Sequence, residues 1–258
     1  MADWEPGLYL TFEKERTRPS ADLTAQIKHG GPKRIIDIGC GPGNSTLVLK
    51  RRWPGAEITG LDNSEPMLGR ARLADADINW VLADASGDLS CMGAFDIVFS
   101  NAAIQWIPGQ RALLENLYGM LSPGGILAVQ VPCLRRMPVS AELQKLAARP
   151  EWAAYFQNLK GASSVHTADF YYDVLCGLTR TIDLWQTSYF HMMENHGEII
   201  NWYSGSGLRP YLDRLPEESV RAAFLAELES ALKKSYPAQK DGRILFPFDR
   251  IFFTAGKA

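Results

Sequence analysis

Cysteine is scarce and scattered. Cys40, Cys91, Cys133 and Cys176 lie far apart in 258 residues with no C-x-x-C, which argues against a disulfide framework or a metal-binding cluster and for a reducing, cytoplasmic setting. Blocks of like charge are missing too. With 27 basic and 29 acidic side chains the net charge is -2, so nothing marks a nucleic-acid surface and no nucleic-acid partner is expected. No uninterrupted apolar stretch approaches the roughly 18 residues of a membrane-spanning helix, so no membrane partner is expected. The start, MADWEPGLYLTFEKERTRP, lacks the apolar core and cleavage pattern of a secretory leader. Internal repeats and low-complexity segments are absent.

What is present is a rhythm. RIIDI (34–38) reads as a short buried strand, followed by a glycine turn and the helical spacing of NSTLVLKRRW. AEITGLD is a second strand, after which Asn63 or Ser64 caps EPMLGRARLA with Pro66 in its first turn. INWVLAD, AFDIVFSN and GILAVQVP are three more strands, with the helix PGQRALLENLYGML before the last. Repeated β-α-β order predicts a parallel sheet with helices on both faces. After Pro132 the rhythm breaks. Residues 138–160 read as helical, TIDLWQTSYFHMM (181–193) as a long strand, ESVRAAFLAELESALKKSY as an amphipathic helix, and GRILFPFDRIFFTAG as a final strand broken by Pro247. Two late strands beside five predict a seven-stranded sheet. Segments 133–165 and 194–240 are then spare material able to cover its carboxyl edge, where open α/β sheets bind ligands.

The glycine turn narrows the ligand. In DIGCGPGN, Gly39, Gly41 and Gly43 alternate. A dinucleotide fold wants G-x-G-x-x-G and a P-loop wants G-K-[ST]; Asn44 fails the first and no G-K-[ST] follows. Asp37, two residues before Gly39, would repel a pyrophosphate and attract a cation. S-adenosylmethionine carries an ammonium and a sulfonium and no phosphate. Two further acids fall at strand ends: Asp62, placed to accept ribose hydroxyls, and Asp84, placed to accept an adenine amino group beside the Ala85 amide. Met67 packs its helix on the sheet and can touch the ribose next to Asn63.

D-x-G-x-G-x-G after a first strand resembles the cofactor motif of class I S-adenosylmethionine-dependent methyltransferases. That resemblance implies a Rossmann-like seven-stranded α/β fold with an added helical cap. It also implies that Asp37 serves the cofactor's ammonium, Asp62 its ribose and Asp84 its adenine, with the Asn101 backbone carbonyl near the ammonium. The turn SNAAIQWIPG, after the fourth strand, has neither N-P-P-Y nor a nucleophilic cysteine, and is similar to that of carboxyl methyltransferases. A carboxylate is already anionic at neutral pH and needs no general base. Gln105 and Trp106 are the candidates to orient it. Over nearly the whole chain, DWEPGLYLTFEKERTRP, RRWPGAEITGLDNSEPML, YYDVL and SGLRPYL look like the trans-aconitate methyltransferase family. That implies a small-molecule tricarboxylate substrate and S-adenosylhomocysteine as product.

A tricarboxylate calls for cations and hydroxyls on cover elements, arginine above all because its fork binds carboxylates bidentately. Arg209, Tyr172, His166, Arg18 and Trp202 are the candidates. Arg16, Tyr9 and Phe12 lie on the N-terminal segment, and Gly205 and Gly207 would allow a tight turn. The expected organisation is one methyltransferase domain: a cover helix in 1–30, a cofactor-binding core in 31–132, caps in 133–165 and 194–240, and the last helix and strands in 166–193 and 241–258. Two other readings stay open: methylation of another small or thioester-linked acid such as malonyl carrier protein, and a cofactor-binding module without catalysis. The residues leave the choice of carboxylate and the oligomeric state undecided.

Overall fold

The computed structural model describes residues 13–134, 137–157, 159, 165–204 and 207–258. Tyr9, Phe12 and Gly205 lie outside them, as does the side chain of Arg16. The elements run α1 (Glu13–Gln26), β1 (Arg34–Ile38), α2 (Asn44–Arg52), β2 (Glu57–Asp62), α3 (Glu65–Ala74), β3 (Asn79–Leu82), β4 (Phe95–Asn101), α4 (Gln110–Gly119) and β5 (Leu121–Pro132). Then come α5 (Pro138–Ala147), α6 (Pro150–Ala153), α7 (Ala168–Leu175), β6 (Thr181–Met193), α8 (His196–Ser204), α9 (Arg209–Leu212), α10 (Glu218–Ser235) and β7 (Ile244–Gly256).

Seven strands form one sheet in the order β3-β2-β1-β4-β5-β7-β6. The first five are parallel; β7 runs antiparallel to β5 and β6. The order reverses between β1 and β4, which opens a crevice at their carboxyl ends. Ile36, Ile38, Val98, Leu127, Val129 and Phe253 bury one face, with Leu113, Leu117 and Tyr171 from α4 and α7 above them. Ile35, Ile97, Phe99, Ala128 and Phe252 bury the other, under Leu23 and Ile27 of the α1 segment and Leu49 of α2. Alternating faces along each strand set this division.

Pro247 does not break the last strand. β7 runs through it, paired with Phe190. The β5 ladder ends at Pro132 opposite Arg250, so at Pro247 one flank of β7 has no strand that needs an N–H, a position sheets tolerate. Beyond Arg250 the β6–β7 ribbon therefore rises past the carboxyl edge of the parallel strands. The helices inserted before α7 and between β6 and β7 pack on that ribbon. Val139, Leu143, Trp202, Phe224, Leu228, Ile244 and Phe246 share one apolar core. Polar ties fasten it: the Tyr236 hydroxyl accepts from the Val139 amide at 3.0 Å, and the Tyr203 and Ser140 hydroxyls meet at 2.6 Å. Among the described residues no helix is long and apolar enough to cross a membrane.

Candidate active site

The glycine turn after β1 is stitched to the neighbouring strands by backbone bonds. The amides of Gly39 and Cys40 donate to the Leu61 carbonyl at 2.7 and 3.0 Å, and the Ala83 amide donates to the Asp62 carbonyl at 3.0 Å. The carboxyl ends of β1, β2 and β3 therefore form one ledge. Gly39 has φ +69, and a Cβ there would stand 2.3 Å from the Ala103 Cβ. The missing side chain lets the turn after β4 close against the turn after β1. Gly41 also has positive φ, but a Cβ there would meet nothing within 4 Å, so its backbone borders open space. Gly43 is a glycine for another reason: a Cβ would come within 2.8 Å of the Trp80 ring.

Asp37 is fully buried on the α1 side of the sheet. Its Oδ2 accepts from the hydroxyls of Ser45 and Thr46 at 2.6 and 2.7 Å. Its Oδ1 is buried with no donor among the described residues. Burial raises its pKa to about 7 against the pull of those two hydroxyls. A buried carboxylate with one unanswered oxygen is a site for a cation or a donor-rich group. Asp62 accepts from the amides of Gly41 (2.8 Å) and Ser64 (2.9 Å), so it holds the glycine turn and the start of α3 together. Burial raises its pKa as well, opposed by those amides. Each oxygen keeps a lone pair for a ligand hydroxyl. Asp84 is exposed two residues beyond β3 and accepts from the Ser86 amide and hydroxyl, both at 2.8 Å, which lower its pKa. Met67 and Ala85 are buried beside the ledge and Asn63 is exposed on it.

The turn after β4 carries a strained residue. Ala102 has φ 54 although it is not glycine. It is held from two sides: its amide donates to the Gln130 carbonyl at 2.9 Å, and its carbonyl accepts from Gln105 Nε2 at 2.7 Å. Gln105 is buried, and its Oε1 finds no donor among the described residues. This redirects the sequence expectation. Gln105 fixes the turn rather than reaching an anionic substrate, against which its unanswered carbonyl oxygen has the wrong polarity. Trp106, half-buried at the end of the same 3-10 turn (Ile104–Trp106), stays beside it. Asn101 ends β4 with its Oδ1 lacking a donor among the described residues.

The expected substrate residues scatter. Tyr172 is exposed on α7, lining a surface hollow with Asp169, Asp173 and Asp183; three carboxylates would repel a polycarboxylate. The inward residue is Tyr171, whose hydroxyl donates to Gln110 Oε1 at 2.9 Å. Its helical partners Val174 and Leu175 are buried too, and that spacing was available in the sequence. His166 stacks on Phe170 at 3.8 Å. Trp202 is buried in the cap core, 4.6 Å from the His191 ring, and packs there instead of facing a ligand. Gly207 makes room for the Tyr203 ring. Arg209 opens α9 with Asp213 at 3.9 Å, so part of its charge is already answered. Arg18 is exposed, 4.0 Å from Asp22 and 5.1 Å from the Tyr189 ring centroid. Spacing in the sequence does not single out Ser45 and Thr46, which the first turn of α2 places on Asp37.

Residues 35–125 match the family model described as a methyltransferase domain. The chain is 41% identical over 261 residues to trans-aconitate 2-methyltransferase of Methylobacterium radiotolerans, covering 100% of both chains. It is 43% identical over 257 residues to the enzyme of the same name from Methylobacterium nodulans, covering 99% of this chain and 98% of that one. A solved phosphoethanolamine N-methyltransferase 2 of Haemonchus contortus, in complex with S-adenosyl-L-methionine, shares the fold with a TM-score of 0.55 at 16% identity, over 93% of this chain and 52% of that one.

Proposed function

The chain belongs to the trans-aconitate 2-methyltransferase family, and from that premise we propose that it transfers a methyl group from S-adenosylmethionine to one carboxylate of trans-aconitate, giving the monomethyl ester. The observation that carries the cofactor half is the pair of buried acceptors without donors among the described residues, Asp37 Oδ1 and Asn101 Oδ1, on one face of the sheet. They suit an ammonium, and they do not suit a phosphate. The residues fit the cofactor. Asp37 and Asn101 would receive its ammonium, the open backbone at Gly41 would let it approach, Asp62 with Met67 would hold the ribose, and Asp84 with Ala85 would border the adenine.

Bound S-adenosylmethionine supplies an electrophilic methyl carbon, which a carboxylate oxygen takes as the carbon–sulfur bond breaks. The chain's own part is placement. A carboxylate is ionised at neutral pH, so no side chain has to remove a proton. Trp106 offers an indole N–H to orient the accepting oxygen. Gln105 holds the Ala102 carbonyl and with it the shape of the turn. Position and exclusion of water then supply most of the acceleration.

The test uses the full chain with methyl-labelled S-adenosylmethionine and a panel of mono-, di- and tricarboxylates, scored for base-labile methyl ester. Ester from trans-aconitate above the rest of the panel is the expected result. No ester from trans-aconitate at saturating cofactor refutes the substrate.

A further inference from the structure

A row of polar side chains crosses the α1 face of the sheet at its carboxyl edge. Paired residues share a face, and so do residues two apart on one strand. Asp37 pairs with Phe99, two before Asn101; Asn101 pairs with Gln130; Gln130 pairs with Phe252, two beyond Arg250. The polarity of the row changes along it. Among the described residues, Asp37 and Asn101 present oxygens that lack donors, whereas fully buried Gln130 presents Nε2, a donor that lacks an acceptor. Arg250 is buried beside it. Its guanidinium donates to Gln130 Oε1 at 3.0 Å and lies 4.7 Å from the Phe248 ring centroid. That bond occupies the Gln130 amide oxygen and leaves the amide nitrogen as the atom without a partner among the described residues.

A second cation flanks this end. Arg18 lies over the Tyr189 ring, and Tyr189 donates to Asp22 at 2.7 Å. Burial and Asp22 push the Tyr189 phenol up, while Arg250 and Arg18, both near enough to act on it, pull the other way. The β1–β4 end of the row thus suits a cation and the β5–β7 end an anion.

We propose that Arg250 and Gln130 form the subsite for a substrate carboxylate remote from the one being methylated, with Arg18 at its outer rim. This rests on the proposed function and adds residues to it. A guanidinium and an amide held side by side on adjacent strands supply the kind of N–H donors that a planar carboxylate accepts. The site therefore selects polycarboxylates over monocarboxylates.

The experiment measures KM and kcat of the full-length enzyme for trans-aconitate and for crotonate, a monocarboxylate, in Arg250→Gln and Gln130→Met. Affinity for S-adenosylhomocysteine serves as the folding control. In Arg250→Gln we expect KM for trans-aconitate to rise roughly 10- to 100-fold. KM for the cofactor and for crotonate should hold within about twofold, so the preference for the tricarboxylate collapses. A merely structural role would weaken all three together, and that outcome overturns the proposal. So does an unchanged trans-aconitate KM in a variant that binds S-adenosylhomocysteine normally. If Arg250→Gln loses that binding, Gln130→Met decides by the same ratio. Absence of ester from the wild type overturns the proposed function instead. The subsite is then judged on calorimetric binding of trans-aconitate to the S-adenosylhomocysteine-loaded protein, where no binding, or equal binding by the variants, overturns it as well.

Discussion

Replacing Asp37 by Asn should make the ligand-free protein more stable at alkaline pH while weakening its grip on the cofactor. Asp37 is fully buried, with its ordinary pKa of 3.8 raised to about 7. At about 1.4 kcal/mol per pH unit, the charged form carries a penalty of roughly 4 kcal/mol above pH 7. The sign follows from the direction. A raised carboxyl favours the folded state when protonated, so its contribution is complete below the unfolded value near 3.8 and is lost as pH rises through about 7. Asn removes the charge but keeps a carbonyl for the Ser45 and Thr46 hydroxyls. Bonds to a neutral amide are weaker, so the expected gain at pH 8 is about 2–4 kcal/mol, shrinking toward zero near pH 5. Scanning calorimetry of the ligand-free protein at the two pH values measures it. Cofactor binding runs the other way. An ammonium at Asp37 Oδ1 favours the ionised carboxylate, so wild-type affinity for S-adenosylmethionine should climb from pH 5.5 to 7.5, by up to about tenfold per pH unit below the pKa, and stay flat in the variant. A variant no more stable at pH 8, or a flat wild-type affinity, refutes the reasoning.

Gly39→Ala meets both a positive φ and the Ala103 Cβ, so a loss of about 2–5 kcal/mol in urea unfolding is expected; wild-type stability would mean the two turns do not touch. Asp62→Ala should weaken S-adenosylmethionine by about 1.5–3 kcal/mol in calorimetry. It should also lower the melting temperature, because the Gly41 and Ser64 amides lose their acceptor; unchanged affinity removes the ribose assignment. Gln105→Ala frees the Ala102 carbonyl, so kcat should fall about tenfold or more with cofactor KM little changed; an unaffected kcat means the turn holds its shape without it. Tyr172→Ala should leave KM for trans-aconitate within about twofold, and a tenfold rise would return Tyr172 to the site.

The sequence by itself determined what depends on neighbours along the chain. Strand, glycine turn and helix succeed one another within about thirty residues in a β-α-β unit, so β1 through β5, the turn at Gly39–Gly43 and the acids at Asp37, Asp62 and Asp84 were legible from spacing alone. Helical periodicity also carries Tyr171, on one face with Val174 and Leu175, as the inward tyrosine, and leaves Tyr172 exposed. Tertiary structure decided what depends on pairing across long separations. Only the insertion of β7 between β5 and β6 brings Arg250 beside Gln130, 120 residues away. Nothing local in FPFDRIFF tells a buried guanidinium from a solvated one. The Asp37 carboxyl was visible as an acid of the right sign, but its burial, its two hydroxyl partners and its unanswered oxygen arise from α2 closing over the sheet. Charge sign is a property of the residue; desolvation and the direction of a polar atom belong to the packing around it.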